Sequence, residues 1–254
     1  MRVLVCVKRV PATGGQIVLT ADALDIDARF LGFTVSPHEE CAVEEAVRLV
    51  EAQGGSSVVL TLGPEVAADQ LRDAMAIGID RAILLETDGS DWDPGATASA
   101  ITDAVRSQEA ADGPFDLILF GNESADSGGF QVGIRVAVAL DRPCVTGAKG
   151  LAVDGRAATV RRQAAGGWEE FDVELPAVVS VREGINLPRY PSVPGRLRAK
   201  RKEIERVLPD RRPLGPELIR LTVPVEKSAT AEILGTGPEA APRVVEIMRE
   251  LGVL

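Results

Sequence analysis

The chain has 254 residues and a mass of 26.8 kDa, enough for one large domain with a substantial core, or for a domain with an extension. Its hydrophobic share of 45% and charged share of 26% are those of an ordinary globular protein, while a net charge of -10 excludes the generally basic surface that nucleic acid or anionic lipid attracts. No run approaches the roughly 20 apolar residues of a membrane-spanning helix, and Met1 leads directly into a strand-like run instead of a signal peptide, so a cytoplasmic protein without membrane insertion is expected.

Taken in chain order, Val3-Leu4-Val5-Cys6-Val7 reads as a buried strand. Cys6, Cys41 and Cys144 are odd in number, widely spaced and form no C-x-x-C, which predicts buried, reduced thiols and neither a disulfide framework nor a metal site. Residues 10–35 then break the pattern, and are read as an insertion in which residues 16–19 pair with residues 31–35. The next helix is the best specified. Ser36 is an N-cap, Pro37 occupies the first helical position, and Glu39 lies three residues past the cap; Ala42, Val43, Ala46, Val47, Leu49 and Val50 supply the apolar stripe. A strand over residues 57–62, a helix through Leu71 and Met75 ending at Gly78, a strand over 82–85, a helix over about 94–108 and a strand over 116–120 follow. This alternation predicts right-handed βαβ units and a parallel sheet flanked by helices. Asp154-Gly155 and Gly166-Gly167 mark turns between further strands, and residues 177–181 return to the core. From about residue 206 prolines recur, predicting a C-terminal arm over 206–254 that lies on another surface and ends in a short amphipathic helix; the main domain is 1–205.

Three segments carry candidate chemistry. Gly121, Asn122, Glu123, Ser124, Ala125, Asp126, Ser127, Gly128, Gly129, Phe130, Gln131 and Val132 follow a buried strand and open a helical run, where backbone N–H groups and the helix dipole suit a phosphate. The segment is neither a Walker A loop nor G-x-G-x-x-G, and on its own it fits a flexible connection equally well. His38, the single histidine, has no identifiable nucleophile or orienting carboxylate nearby in sequence, so a surface or interface histidine outweighs a general base. In residues 181–194, Pro188, Pro191 and Pro194 stiffen a run that contains Ile185 and Leu187, consistent with a recognition loop; composition alone slightly favours Ile185 folding back into the core. The basic cluster of Arg196, Arg198, Lys200, Arg201 and Lys202 lacks interleaved aromatics and reads as a helix face or a local acidic contact, not as a nucleic-acid site.

Taken together these segments resemble the electron-transfer flavoprotein β subunit. The similarity lies in Val7-Lys8-Arg9-Val10-Pro11 after the first strand, in the helix from Pro37 through Ala42-Val43-Glu44-Glu45-Ala46, in Leu71-Arg72 through Gly78 to Ala82, and in Ile185-Asn186-Leu187-Pro188-Arg189-Tyr190-Pro191-Ser192 leading to Lys200-Arg201-Lys202. The resemblance implies an adenine nucleotide α-hydrolase-like, Rossmann-like fold and an α subunit partner that mainly holds the redox-active FAD. It implies AMP in the β subunit, or a second FAD in electron-bifurcating members. Nucleotide contacts would fall on Cys6, Ser36, Pro37, His38, Glu39, Leu62 and the residues from Gly121 to Val132 named above. Ile185, Asn186, Leu187, Pro188, Arg189 and Tyr190 would dock dehydrogenases such as acyl-CoA dehydrogenase, with Ile185 as the apolar anchor, and electrons would pass to a quinone reductase or other acceptor. No residue of the chain would make or break bonds, and no metal is implied. The chain departs from the family pattern at Ser36 for asparagine, at His38 for an aromatic, and at Leu187 for glutamate. The alternatives are a stand-alone nucleotide-binding regulator of the universal-stress type and an adenylate-forming enzyme, although no S-G-G-x-D-S loop is present.

Overall fold

The apolar runs of the N-terminal part become neighbouring parallel strands. The computed structural model describes residues 1–12, 14, 17–215, 218–224 and 232–254. In chain order its elements are β1 (Arg2–Cys6), β2 (Val10–Pro11), β3 (Phe33–Thr34), α1 (Pro37–Gln53), β4 (Ser56–Gly63), α2 (Ala68–Ile77), β5 (Arg81–Glu86), α3 (Pro94–Asp112), β6 (Leu117–Gly121) and α4 (Val132–Ala139). There follow β7 (Cys144–Asp154), β8 (Ala157–Ala164), β9 (Gly167–Glu174), β10 (Ala177–Val181), α5 (Val193–Arg201), β11 (Glu205–Val207) and α6 (Ala241–Glu250). One nine-stranded sheet has the order β11-β5-β4-β1-β6-β10-β7-β8-β9, parallel from β11 to β7 and antiparallel through β8 and β9.

Side-chain alternation divides the core between the two faces of this sheet. Val3, Val5, Leu117 and Leu119 join a cluster with Cys41, Ala42, Ala46 and Leu71 of α1 and α2. Leu4, Cys6, Ile118 and Phe120 point the other way, into a cluster with Ile101 and Val105 of α3 and Val136 of α4. Both faces of the central strands are therefore covered, which is why these strands read as continuous apolar runs. The basic cluster resolves into the last turn of α5, where Arg198, Lys200 and Arg201 face the negative helix end. Lys202 Nζ donates to the carbonyls of Ile79 (2.9 Å) and Asp80 (3.1 Å) just beyond α2, and Arg72 Nη1 donates to that of Ala199 (2.9 Å) in α5, so each helix end is capped from the other segment.

The insertion pairs differently from the expectation. Phe33 and Thr34 run antiparallel to Val10 and Pro11, not to residues 16–19, and Leu19 bridges Ile26. The reason lies in burial and local polarity. Val10 is fully buried and holds the returning chain at the core, whereas Thr20 Oγ1 donates to Asp22 Oδ1 and closes residues 20–25 on themselves. Gly15 and Gln16 lie outside the described residues. Two compact units are present, Met1–Arg220 and Leu221–Leu254. The second contains α6, on which Val244, Val245, Met248 and Leu251 are exposed. Among the described residues no helix is long and apolar enough to cross a membrane.

Candidate functional site at the switch point of the sheet

After β1 the chain builds outward through β4 and β5, then returns to β1's other side with β6. The crevice beyond the carboxyl ends of β1 and β6 is where this strand order reverses, the position at which open α/β sheets bind ligands. Here a cleft of about 330 Å³ is lined by Ser36, Pro37 and His38 of the α1 N-terminus and by Glu123, Ser124, Ala125, Asp126, Ser127 and Gly128. Gly121 brings the two walls together. A Cβ at that position would lie 2.5 Å from Glu39 Cγ and 3.2 Å from the Glu39 backbone nitrogen, so only glycine admits this approach of α1 to the end of β6.

The α1 N-terminus is a complete capping box. Ser36 Oγ accepts from the Glu39 N–H, and Glu39 Oε2 accepts from the Ser36 N–H at 2.9 Å and from its hydroxyl at 3.1 Å. Glu39 Oε1 accepts from the Lys8 N–H at 2.8 Å. Burial pushes the Glu39 carboxyl up to about 7, against the hydrogen bonds from Ser36 and Lys8 that favour its charged form. Opposite, Lys8 Nζ forms a 2.6 Å ion pair with Asp126 Oδ2. Burial raises that carboxyl's pKa, yet Lys8 and the hydrogen bonds from Ser124 and Ser127 together outweigh it and hold Asp126 below the ordinary carboxylate range. Gly128 and Phe130 are both left-handed, and no side chain caps α4 at Gln131.

His38 occupies the rim between this loop and a second one. Its Nδ1 accepts from the Glu183 N–H at 2.8 Å, and its Nε2 lies 3.3 Å from Glu123 Oε1. The second loop is fastened along one side of α1. Asn186 Nδ2 donates to the Cys41 carbonyl (3.0 Å) and to Glu45 Oε2 (2.8 Å). Arg189 grips Glu44 through Nε (2.9 Å) and Nη2 (3.0 Å), and Glu51 through Nη1 (2.7 Å). Hydrogen bonds from Arg189 lower the Glu51 pKa, and the two carboxylates raise that of Arg189. Burial raises the Glu45 pKa, with the Asn186 bond opposing it. Held in this way the loop projects Leu187, 88% exposed, and Tyr190, 96% exposed, while Ile185 is half-buried against the α1 side of the core.

Of the residues singled out in the sequence, Ser36, Pro37, His38 and the stretch from Glu123 to Gly128 share the cleft; Glu39 and Gly121 form its floor contact. Cys6 and Leu62 end β1 and β4, outside the cleft lining. The Cys6 side chain belongs to the core, and burial followed by the Glu39 charge raises its pKa, so it has only its main chain to offer a ligand. Gly129, Phe130, Gln131 and Val132 carry the loop into α4 without lining the cleft. The orienting carboxylate that the sequence did not reveal for His38 is Glu123, 85 residues away in the chain. Lys8, Glu44, Glu45, Glu51 and Glu183 were also not singled out. The available signal was Glu44-Glu45 inside the apolar stripe of α1, since a buried carboxylate needs a partner. Among the described residues no cluster of three metal-ligating side chains occurs.

A family model described as the electron transfer flavoprotein domain matches residues 26–211. An electron transfer flavoprotein subunit beta of Bacillus subtilis is 34% identical, with 98% of each chain covered. The mitochondrial electron transfer flavoprotein subunit beta of Oryza sativa subsp. indica is 34% identical over 83% of each chain, and the electron transfer flavoprotein subunit beta of Mycobacterium leprae is 35% identical over 80% of this chain and 77% of its own. With a parallel sheet, a cleft at its switch point and a match over nearly the whole length, the chain belongs to the electron transfer flavoprotein family, among its β subunits.

Proposed function

We propose that this chain is the non-catalytic β half of a cytoplasmic αβ heterodimer that accepts electrons from dehydrogenases, among them acyl-CoA dehydrogenase, and passes them to a quinone reductase or other acceptor. FAD, held mainly by the α subunit, supplies the redox chemistry. The β chain contributes a nucleotide site and a docking surface.

The observation that carries this reading is the loop over residues 181–194, fixed to α1 by Arg189 and Asn186 while Leu187 and Tyr190 stand free. A pre-ordered loop spends little entropy on binding, and an aliphatic and an aromatic side chain at its tip are the groups that anchor protein interfaces. Ile185 sets the base of the loop, so Leu187 and Tyr190 are the contacts we assign to the dehydrogenase.

The cleft suits AMP better than a second FAD. Its volume of about 330 Å³ lies at the low end of the approximate 300–1,000 Å³ span of small-molecule sites, large enough for a mononucleotide. Glu123 and Asp126 would repel a phosphate, so its charge must be met by Lys8, by backbone N–H groups of the loop and by the uncapped start of α4. Ser36, Pro37, His38 and Glu39 would line the other wall. Co-expression with an α subunit, followed by counting flavin and AMP in the purified complex, tests the proposal. One flavin and one AMP per heterodimer are expected; a symmetric homodimer that binds ATP and no flavin would overturn it in favour of a universal-stress-type regulator.

A further inference from the structure

We propose that His38 is a positioning residue that mechanically couples the cleft loop to the docking loop, so that a ligand displacing Glu123 alters the order of residues 182–190. The proposal deepens the reading above and rests on it for the roles of the two loops.

The tautomer follows from the contacts. An imidazole nitrogen that accepts from a backbone N–H carries no proton, so the Glu183 bond at Nδ1 leaves the ring proton of neutral His38 on Nε2. Nε2 lies 3.3 Å from Glu123 Oε1, near enough for an electrostatic contact between the two side chains. One rigid ring thus touches both loops, and the helix beneath it cannot give, because Ser36 and Glu39 close the capping box on either side of it in sequence.

The two loops also leave adjacent strands. Val181 pairs with Gly121 at the ends of β10 and β6, and the Asn122 N–H donates to the Val181 carbonyl at 2.8 Å. Beyond that backbone tie the loops separate, and His38 is the side chain that spans them. The remaining anchors of the docking loop, Asn186 and Arg189, reach α1 residues that do not line the cleft. Lys149 Nζ donates to the Glu183 carbonyl and the Ile185 N–H to the Arg182 carbonyl, and the His38 bond ties the same turn to the N-terminus of α1. Glu123 is partly exposed and lines the cleft, where an entering phosphate would repel its carboxylate.

This chain has a single histidine, so with this chain alone isotope-labelled every labelled imidazole signal belongs to His38. The full-length chain, with its partner subunit where one co-purifies, is examined by imidazole nitrogen NMR and amide exchange. The spectrum is expected to show Nε2 protonated and Nδ1 bare. Glu123→Ala should shift the ring resonances and speed exchange of the Glu183 amide about two- to ten-fold, the effect of weakening one hydrogen bond. His38→Asn places an oxygen near the position of Nδ1 but is too short to reach Glu123, so it should keep the Glu183 amide slow and make it indifferent to Glu123→Ala. A protonated Nδ1, an unchanged Glu183 amide in Glu123→Ala, or an equal acceleration by Glu123→Ala in the His38→Asn background would each overturn the coupling. Added AMP should change Glu183 exchange in the wild type and not in His38→Asn. If AMP does not bind at all, the nucleotide reading falls while the Glu123→Ala comparison still decides the coupling.

Discussion

Gly121 and Glu39 show how much rests on single residues at the cleft floor. Gly121→Ala would place a methyl group 2.5 Å from Glu39 Cγ, with the helix backbone close behind, and should destabilise the protein by about 1–3 kcal/mol in chemical denaturation. Gly133→Ala meets the edge of the Phe120 ring at 3.1 Å, a side chain able to shift, and should cost less. Glu39 makes a pH prediction. Its carboxyl titrates near 7 in the fold against an ordinary value of 4.5, so between these limits the folded state holds a proton that the unfolded state has lost. The stability from this group is fully present below about 4.5 and is lost as the pH rises through about 7, a difference of order 3 kcal/mol. Urea unfolding at acidic and at mildly alkaline pH should show that loss in the wild type and not in Glu39→Gln; parallel pH profiles for the two proteins would refute it.

At the scale of the element, α1 serves the core, the cleft and the loop over residues 181–194 at once. Its cap was legible because Ser36, Pro37 and Glu39 stand at the spacing that a capping box needs, and Ser36→Ala should cost about 1 kcal/mol. Its other duties depend on residues far away in the chain, Glu123 being 85 positions from His38 and Asn186 and Arg189 138–145 positions from their α1 partners. Glu44 is about 4% exposed at its side chain and satisfied by Arg189, which a sequence window around α1 cannot contain. Arg189→Ala leaves that carboxylate only the longer contact with Arg48, 3.4 Å away in α1; because Arg189 itself is 36% exposed, the expected loss is about 1 kcal/mol, together with faster proteolysis in the loop. Arg189→Lys should not restore the loop, since an ammonium cannot hold Glu44 and Glu51 with a planar fork. Glu51→Ala, at a largely exposed partner, should stay within about 0.5 kcal/mol. A Glu51→Ala loss as large as that of Arg189→Ala would locate the anchor at the wrong end of the helix.

For the whole molecule, the docking proposal turns on Leu187. Leu187→Ala truncates a side chain that is 88% exposed, so unfolding should move by less than about 0.5 kcal/mol while affinity for the dehydrogenase falls about ten-fold or more. Unchanged electron transfer from the dehydrogenase in that variant would remove Leu187 from the interface. The sequence by itself determined the parallel α/β architecture, the cap of α1 and the family, because each is written in residues close together: apolar runs, cap spacing, and motifs a few residues long. Tertiary structure alone decided that Glu123 orients His38, that Lys8 meets Asp126, that Phe33 and Thr34 pair with Val10 and Pro11, and that Leu187 stands out while Ile185 packs inward. These are contacts between segments far apart in the chain, and their partners are selected by which strand ends the sheet places side by side.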